Sequence, residues 1–246
     1  MKIRLDKLLV ERGLVPSRER GQALILAGKV LVNEQKVEKS GTAVDSDAIV
    51  RLLEDDLKYV SRGGLKLEKA LAHWKISVEG RACLDVGAST GGFTDCLLQH
   101  GAARVIAVDT GYGQIDFRLR QDPRVRLLEK TNARYLKRED LGGPIDFIAM
   151  DVSFISATLV LPAVVEAALA GDLPRRELVV LVKPQFEAGL EHVGKGGIVR
   201  DEAAQLAAVD KVKGTLAQLH AQHLDFIESP ILGAEGNREF LLYARF

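Results

Sequence analysis

Only two cysteines, Cys83 and Cys96, occur in 246 residues. That is too few for a disulfide framework, and a reducing cytoplasm is the expected setting. Long apolar runs are missing too. No hydrophobic segment follows the basic start, and the most apolar helical stretch, Thr158 to Gly171, is short and carries Pro162 and Glu166. Secretion and membrane spanning are thereby disfavoured. Basic and acidic residues balance to a formal net charge of zero, so the chain is no uniformly basic nucleic-acid binder. A dinucleotide fingerprint is also absent: Gly87 is followed by Ala-Ser-Thr and then Gly91-Gly92, not by the G-x-G-x-x-G triplet that hugs a diphosphate. Neither heptads nor an apolar stripe is evident, and a monomer is expected.

What remains is a chain whose 47% hydrophobic content suits a globular core. Its most informative stretch is Cys83-Leu-Asp-Val-Gly-Ala-Ser-Thr-Gly-Gly-Phe-Thr94, an apolar strand ending in an acid and a glycine-rich turn that opens a helix. Such a turn lets backbone approach a ligand and offers the unpaired N–H groups of a helix start. The spacing fits S-adenosylmethionine better than a dinucleotide. Asp85 would then face the methionine end, Gly87, Ser89, Thr90 and Gly91 would line the turn, and Phe93 would pack beneath it. Asp109, closing the strand Arg104-Val-Ile-Ala-Val-Asp109, would hydrogen-bond the ribose hydroxyls. Asn132, in Lys130-Thr-Asn-Ala133, is placed to hold the adenine, although asparagine is also ordinary turn chemistry.

Strands alternate with helices from about residue 60: Ala82 to Val86, Arg104 to Val108, Val125 to Leu128, Asp146 to Met150 and Leu178 to Val182. Leu224 to Ile231 and Glu239 to Phe246 follow as a final pair joined by a Gly/Asn turn. The pattern predicts a doubly wound α/β sheet, mostly parallel with an antiparallel edge, preceded by a helix that carries Leu67, Ala70 and Leu71 on one face. Glu54 to Lys58 is charged and expected to be exposed. A domain boundary is placed near 60, giving parts 1–60 and 61–246.

The first part is locally basic. Its first thirty residues hold seven basic and three acidic side chains, a net charge of +4. Leu5, Leu8 and Leu9 predict a helix stopped at Gly13; Ser17 caps a second that ends at Gly28, and Val30 to Val32 opens a small bent sheet with Val37, Val44 and Ala48 to Val50. Arg4-Leu-Asp-Lys-Leu-Leu9, Gly13-Leu14, Ser17-Arg18, Ala27-Gly28-Lys-Val30 and Val32-Asn33 resemble the S4-type RNA-binding domain. The resemblance implies that Arg4, Lys7, Arg18, Arg20 and Lys29 meet structured RNA through shape and phosphate contacts. Without it, these charges read as a solvated helix face.

Lys66 in Ser-Arg-Gly-Gly-Leu-Lys66, Asp151 in Met-Asp-Val-Ser153, Lys183 in Val-Lys-Pro-Gln185 and Glu239 in Asn-Arg-Glu239 resemble the Lys-Asp-Lys-Glu tetrad of FtsJ-like RNA 2′-O-methyltransferases. Joined to the S4-like part, the match covers nearly the whole chain and is similar to the hemolysin A-type (TlyA) family of rRNA methyltransferases. The resemblance implies a Rossmann-like class I methyltransferase fold with a seven-stranded sheet, and 2′-O-methylation of cytidine ribose in ribosomal RNA of the large subunit, or of both subunits. Its partners would be ribosomal RNA or ribosomal subunits. Lys183 would then remove the hydroxyl proton as a neutral amine or stabilise the developing alkoxide as a cation, two roles the sequence leaves open.

Other signals carry less. Gly189-x-x-x-x-Gly194-Lys195 imitates a phosphate loop but continues with Gly196 and follows no strand, so a mobile loop near the site is expected. His220 and His223, on one expected helix face, lack companions for a metal, and none is expected. Trp74 is expected to pack where the two parts meet. Rival functions are a non-catalytic assembly factor, which the four intact polar positions oppose, and a membrane-lysing toxin, for which no suitable apolar segment exists. A small-molecule methyltransferase would leave the basic first part without a task.

Overall fold

Leu5, Leu8 and Leu9 are buried together with Val15, Leu24, Ile25, Val30, Val32 and Val44, the small core that organises the first part of the chain. The computed structural model describes residues 2–15, 17–53, 58–169 and 176–246. Contacts divide the chain into two compact units, Met1–Lys58 and Tyr59–Phe246.

The first unit runs β1 (Lys2–Arg4), α1 (Leu5–Glu11), α2 (Arg18–Leu26), β2 (Val30–Val32), β3 (Gln35–Lys36), β4 (Ala43–Asp45) and β5 (Val50–Leu52). Ser17 caps α2 by accepting from Arg20 N at 3.3 Å, the satisfaction of an orphan donor that its position foretold. The single bent sheet expected here is instead two ladders, β1 with β4 and the order β3-β2-β5. Lys2–Arg4 is extended because it pairs with Ala43–Asp45. Of the charged run at 54–58, positions 54–57 lie outside the described residues.

The second unit alternates α3 (Gly63–His73), β6 (Ala82–Val86), α4 (Gly92–Gln99), β7 (Arg104–Val108), α5 (Phe117–Gln121), β8 (Val125–Leu128), α6 (Arg138–Leu141), β9 (Phe147–Met150), α7 (Leu161–Leu169), β10 (Glu177–Val182), α8 (Pro184–Glu187), α9 (Glu202–Gln218), β11 (His223–Glu228) and β12 (Phe240–Arg245). Seven strands form one sheet in the order β11-β12-β10-β9-β6-β7-β8. Neighbours from β10 through β8 are parallel, and β12 runs antiparallel to both β10 and β11. The central strands are apolar on both faces because helices cover both. Leu84, Val86, Ile106, Ile148 and Val180 pack on the side of α7 and α9. Cys83, Val105, Phe147, Val179 and Leu181 pack on the side of α3 and α4.

Several expectations change in detail. The closing strands differ from the sequence expectation: β11 opens at His223 and ends at Glu228, just before Pro230, which has no N–H for a ladder, and β12 is one residue shorter at each end. His220 follows the end of α9 with φ +67 and His223 opens β11, so the two do not share a helix face. Trp74 packs inside the second unit: its ring stacks on Tyr243 at 5.2 Å and its Nε1 donates to Asp225 at 2.8 Å. Both cysteines are buried and neither is in a disulfide, and burial pushes the Cys83 thiol up to about 12, which makes it inert. Among the described residues no helix is long and apolar enough to cross a membrane.

Candidate active site

The sheet register decides which loops meet. Val86 lies beside Met150, so Gly87 and Asp151 leave adjacent strand ends together, and Asp151 N donates to Val86 O at 2.8 Å. Because β12 is antiparallel, its first residues stand at the same edge as the carboxyl ends of the parallel strands. Val182 pairs with Phe240, which sets Lys183 next to Glu239 in sequence register. Polar residues scattered from 87 to 239 are thereby gathered at one rim, where ligands of such sheets bind.

Gly87 makes the close approach possible. Its φ is +87, and a Cβ there would fall 2.2 Å from the Asp151 carbonyl oxygen. The turn that follows is fixed by Asp109, whose Oδ2 accepts from Ser89 N at 2.8 Å and whose Oδ1 accepts from Gly111 N at 2.6 Å. Asp109 thus joins the glycine turn to the loop after β7. A cavity of about 490 Å³ opens here, lined by Gly87, Ser89, Asp109, Asn132, Asp151 and Ser153 among others, a size usual for cofactor clefts. Asn132 combines both readings of its sequence context: it lines this cavity and also caps a short 3-10 turn by accepting from Arg134 N at 3.1 Å. A second cavity, lined by Ser61, Lys66, Gly87, Thr90, Asp151 and Gly233 among others, shares Gly87, Ser89 and Asp151 with the first.

Two residues expected at the cofactor lie elsewhere. Gly91, φ +97, caps α4 and backs onto Leu119, 2.3 Å from where a Cβ would sit; it lines neither cavity. Asp85 is fully buried and also lines neither. Strand alternation turns it to the face covered by α4, where Thr94 Oγ1 donates to its Oδ2 at 2.6 Å. Among the described residues its other oxygen finds no hydrogen-bond partner.

Burial pushes the Asp85 carboxyl up to about 7, against the Thr94 hydroxyl and with the help of the Asp151 charge. The folded state therefore holds a proton that the unfolded chain releases near pH 4, and the contribution of Asp85 to stability falls as pH rises from about 4 to about 7. Denaturant titrations of the native protein and Asp85→Asn across that window are expected to show the decline in the first and a flatter profile in the second.

The four polar positions of the tetrad form two ion pairs. Lys66 on α3 contacts Glu239 directly, with both side chains buried. Lys183 Nζ lies 2.5 Å from Asp151 Oδ1 and donates to Ser153 Oγ at 2.8 Å. Lys66 and Asp151 line one cavity, so the pairs face a common space. Ser153 carried no sequence signal beyond adjacency to Asp151. Asn237 was visible only as the asparagine of the Gly/Asn turn and of Asn-Arg-Glu239. Its Oδ1 accepts from Val199 N at 3.1 Å and its Nδ2 donates to Gly197 O at 2.9 Å, so the loop expected to be mobile is tied down at its far end.

In the first unit, Asp6 is fully buried and gathers the arginines. Arg4 and Arg18 each reach its Oδ2 at 3.0 Å, and Gln22 donates at 2.8 Å. The Arg4 guanidinium beside it, foremost, holds its carboxyl well below the usual range despite burial. Arg4 and Arg18 keep nearly half of their side chains exposed. Lys7 is exposed, whereas Arg20 and Lys29 are partly covered.

Comparison with known proteins completes the picture. The FtsJ-like methyltransferase family matches residues 59–246 and the S4 domain matches residues 3–50. A Bacillus subtilis protein provisionally named rRNA methyltransferase YqxC is 47% identical over 98% of this chain and 85% of its own length. The 16S/23S rRNA (cytidine-2′-O)-methyltransferase TlyA of Mycobacterium tuberculosis is 45% identical over 98% of this chain and 89% of its own. A solved Streptococcus thermophilus structure, provisionally named a hemolysin, is 43% identical and superposes with a TM-score of 0.74 over 99% of this chain and 88% of that one.

Proposed function

The chain belongs to the FtsJ-like methyltransferases and carries an S4 domain, and we propose that it is an S-adenosylmethionine-dependent enzyme that methylates cytidine 2′-hydroxyls in ribosomal RNA. The observation that carries this reading is the pairing of Lys183 with Asp151 at the wall shared by two cavities. One cavity has the features of a nucleoside pocket, and the other is lined by Lys66 from the second ion pair.

The residues present fit S-adenosylmethionine. Gly87, closed up against the Asp151 backbone, lines the cavity, Asp109 stands at the end of the second strand with its carboxylate at the cavity wall, and Asn132 lies across the same cleft. Ser89 and Thr90 line the turn between them. When bound, the cofactor supplies a methyl group already activated for displacement.

The protein must align a ribose hydroxyl, a poor nucleophile, and assist loss of its proton. Lys183, ion-paired to Asp151 and donating to Ser153, is placed to stabilise the oxygen as negative charge develops. Asp151 orients that amine. Lys66, buried against Glu239 and lining the second cavity, would help to hold the target nucleotide. Such a bond-forming set is held before substrate arrives, so little reorganisation is needed during reaction.

Substrate RNA would be gripped by Arg4, Lys7, Arg18, Arg20 and Lys29 through phosphates. Replacing Arg18 by alanine is expected to weaken binding to ribosomal RNA and to make the slope of log affinity against log salt shallower by roughly one, as a filter-binding salt titration would register.

The test of the reaction is transfer of labelled methyl from S-adenosylmethionine to separated, unmodified small and large ribosomal subunits. Label on ribosomal RNA is expected. Tight binding to a subunit without label would favour an assembly factor, and transfer to free nucleosides instead of subunits would favour a small-molecule enzyme.

A further inference from the structure

One buried carboxylate beside the site takes no part in the reaction as described. Glu187, at the end of α8, is 5% exposed. It accepts from Ser156 Oγ and from Ala157 N, both at 2.5 Å. Lys211 of α9 stands 3.6 Å from the same carboxylate and donates to the Glu187 carbonyl at 2.8 Å. Burial raises the carboxyl pKa, while the Ser156 hydroxyl and the Ala157 amide work against it.

A carboxylate removed from water is costly unless its hydrogen bonds require it there, and an apolar side chain would fill such a space more cheaply. What an apolar side chain lacks is direction. Ser156 and Ala157 end the segment that starts at Asp151 and contains Ser153; Glu187 ends the single helical turn that starts just after Lys183. A turn of four residues cannot hold itself in place. Two sets of contacts cross between these same segments, one an ion pair from Lys183 to Asp151 with a hydrogen bond to Ser153, the other the hydrogen bonds that Glu187 accepts from Ser156 and Ala157.

We propose that Glu187 is a positioning residue for methyl transfer: by tying the Lys183 segment to the Asp151 segment at its far end, it sets where the Lys183 amine stands. The strand register holds the Lys183 backbone on its N-terminal side only; on the other side the chain runs into the four-residue turn, and each ångström of misplacement there is costly to rate. The second tie removes that freedom. This inference rests on the role proposed for Lys183.

Its test compares the full chain with Glu187→Ala, Glu187→Gln and Ser156→Ala. Single-turnover methyl transfer to ribosomal subunits, KM for those subunits, cofactor affinity by calorimetry and thermal midpoint are read for each. Glutamine keeps an acceptor for Ala157 N and offers its amide to Ser156 Oγ, so it should restore the geometry. Glu187→Ala is expected to slow single-turnover transfer roughly 100-fold, with cofactor affinity and KM within about twofold and Glu187→Gln within about fivefold of the parent.

A parental rate in Glu187→Ala overturns the proposal. So does a rate loss matched by equal losses in cofactor affinity and KM, or a glutamine variant as slow as alanine. If Glu187→Ala does not fold, Ser156→Ala takes its place, with roughly tenfold slower transfer supporting the proposal and an unchanged rate defeating it. Should the parent itself label neither subunit, the reading of the reaction fails, and the proposal with it.

Discussion

Lys183→Ala is expected to lower methyl transfer roughly 10³-fold while cofactor affinity stays within about twofold of the native value. The amine contacts Asp151 and Ser153, and Lys183 is not among the residues that line the proposed adenosine cleft. Removing it takes away an interaction with charge that develops only as the hydroxyl loses its proton. Such an interaction affects the rate and leaves ground-state binding alone. Single-turnover kinetics with calorimetric titration of S-adenosylmethionine separates the two effects. A variant that binds the cofactor poorly, yet transfers normally at saturation, would move Lys183 out of the reaction and into the pocket wall. Lys183→Arg is a useful companion, since the larger guanidinium keeps the charge but not the compact head that fits between Asp151 and Ser153.

Gly87→Ala should be equally disruptive for a different reason. The added methyl would sit 2.2 Å from the Asp151 carbonyl oxygen and 2.8 Å from its carbon, both backbone atoms. Neither can move aside easily, because Asp151 N is bonded to Val86 O and Gly87 N to Val108 O. Backbone strain at φ +87 adds to the overlap. A loss of about 3 kcal/mol in stability is expected, with at least a roughly 100-fold weakening of S-adenosylmethionine binding as the strand ends separate. Gly80→Ala is the control. Its φ of +70 imposes a similar conformational penalty, but nothing lies within 4 Å of the added Cβ, so about 1 kcal/mol should be lost and cofactor affinity kept. Equal effects at the two glycines would show that close approach at Gly87 is not what the site requires.

These expectations also mark what the sequence makes legible. Local order is written plainly: alternation of apolar strands and helices from 82 to 182, Ser17 as a cap, and acids placed at strand ends. The four tetrad positions could be picked out because the residues around them resemble the motif of FtsJ-like methyltransferases. Their division into Lys66–Glu239 and Lys183–Asp151 could not, since it depends on β12 running antiparallel beside β10 and on α3 lying over that edge. Asp85 shows the limit most clearly. Its parity with Cys83 placed it on a definite face of β6, but only packing reveals that this face is covered by α4 and turned away from the cleft. Gly91 was expected to face a ligand and instead makes room for Leu119. Ser153, Glu187 and Asn237 have no spacing signature, because each acts through bonds to residues distant in sequence.

The arginines of the first unit fall between these cases. A basic excess was visible by counting, whereas the convergence of Arg4 and Arg18 on the buried Asp6 was not. That arrangement satisfies the Asp6 charge and fixes two half-exposed guanidiniums at a set separation.

The central claim, methylation of a cytidine ribose by the Lys183 and Asp151 site, is tested most directly by mass-spectrometric nucleoside analysis. Unmodified ribosomal subunits would be treated with the native protein or Lys183→Ala in the presence of S-adenosylmethionine. The expected result is 2′-O-methylcytidine in the RNA treated with native protein and its near absence with the variant. A methyl group found on a base, or equal yields of 2′-O-methylcytidine from both proteins, would contradict it.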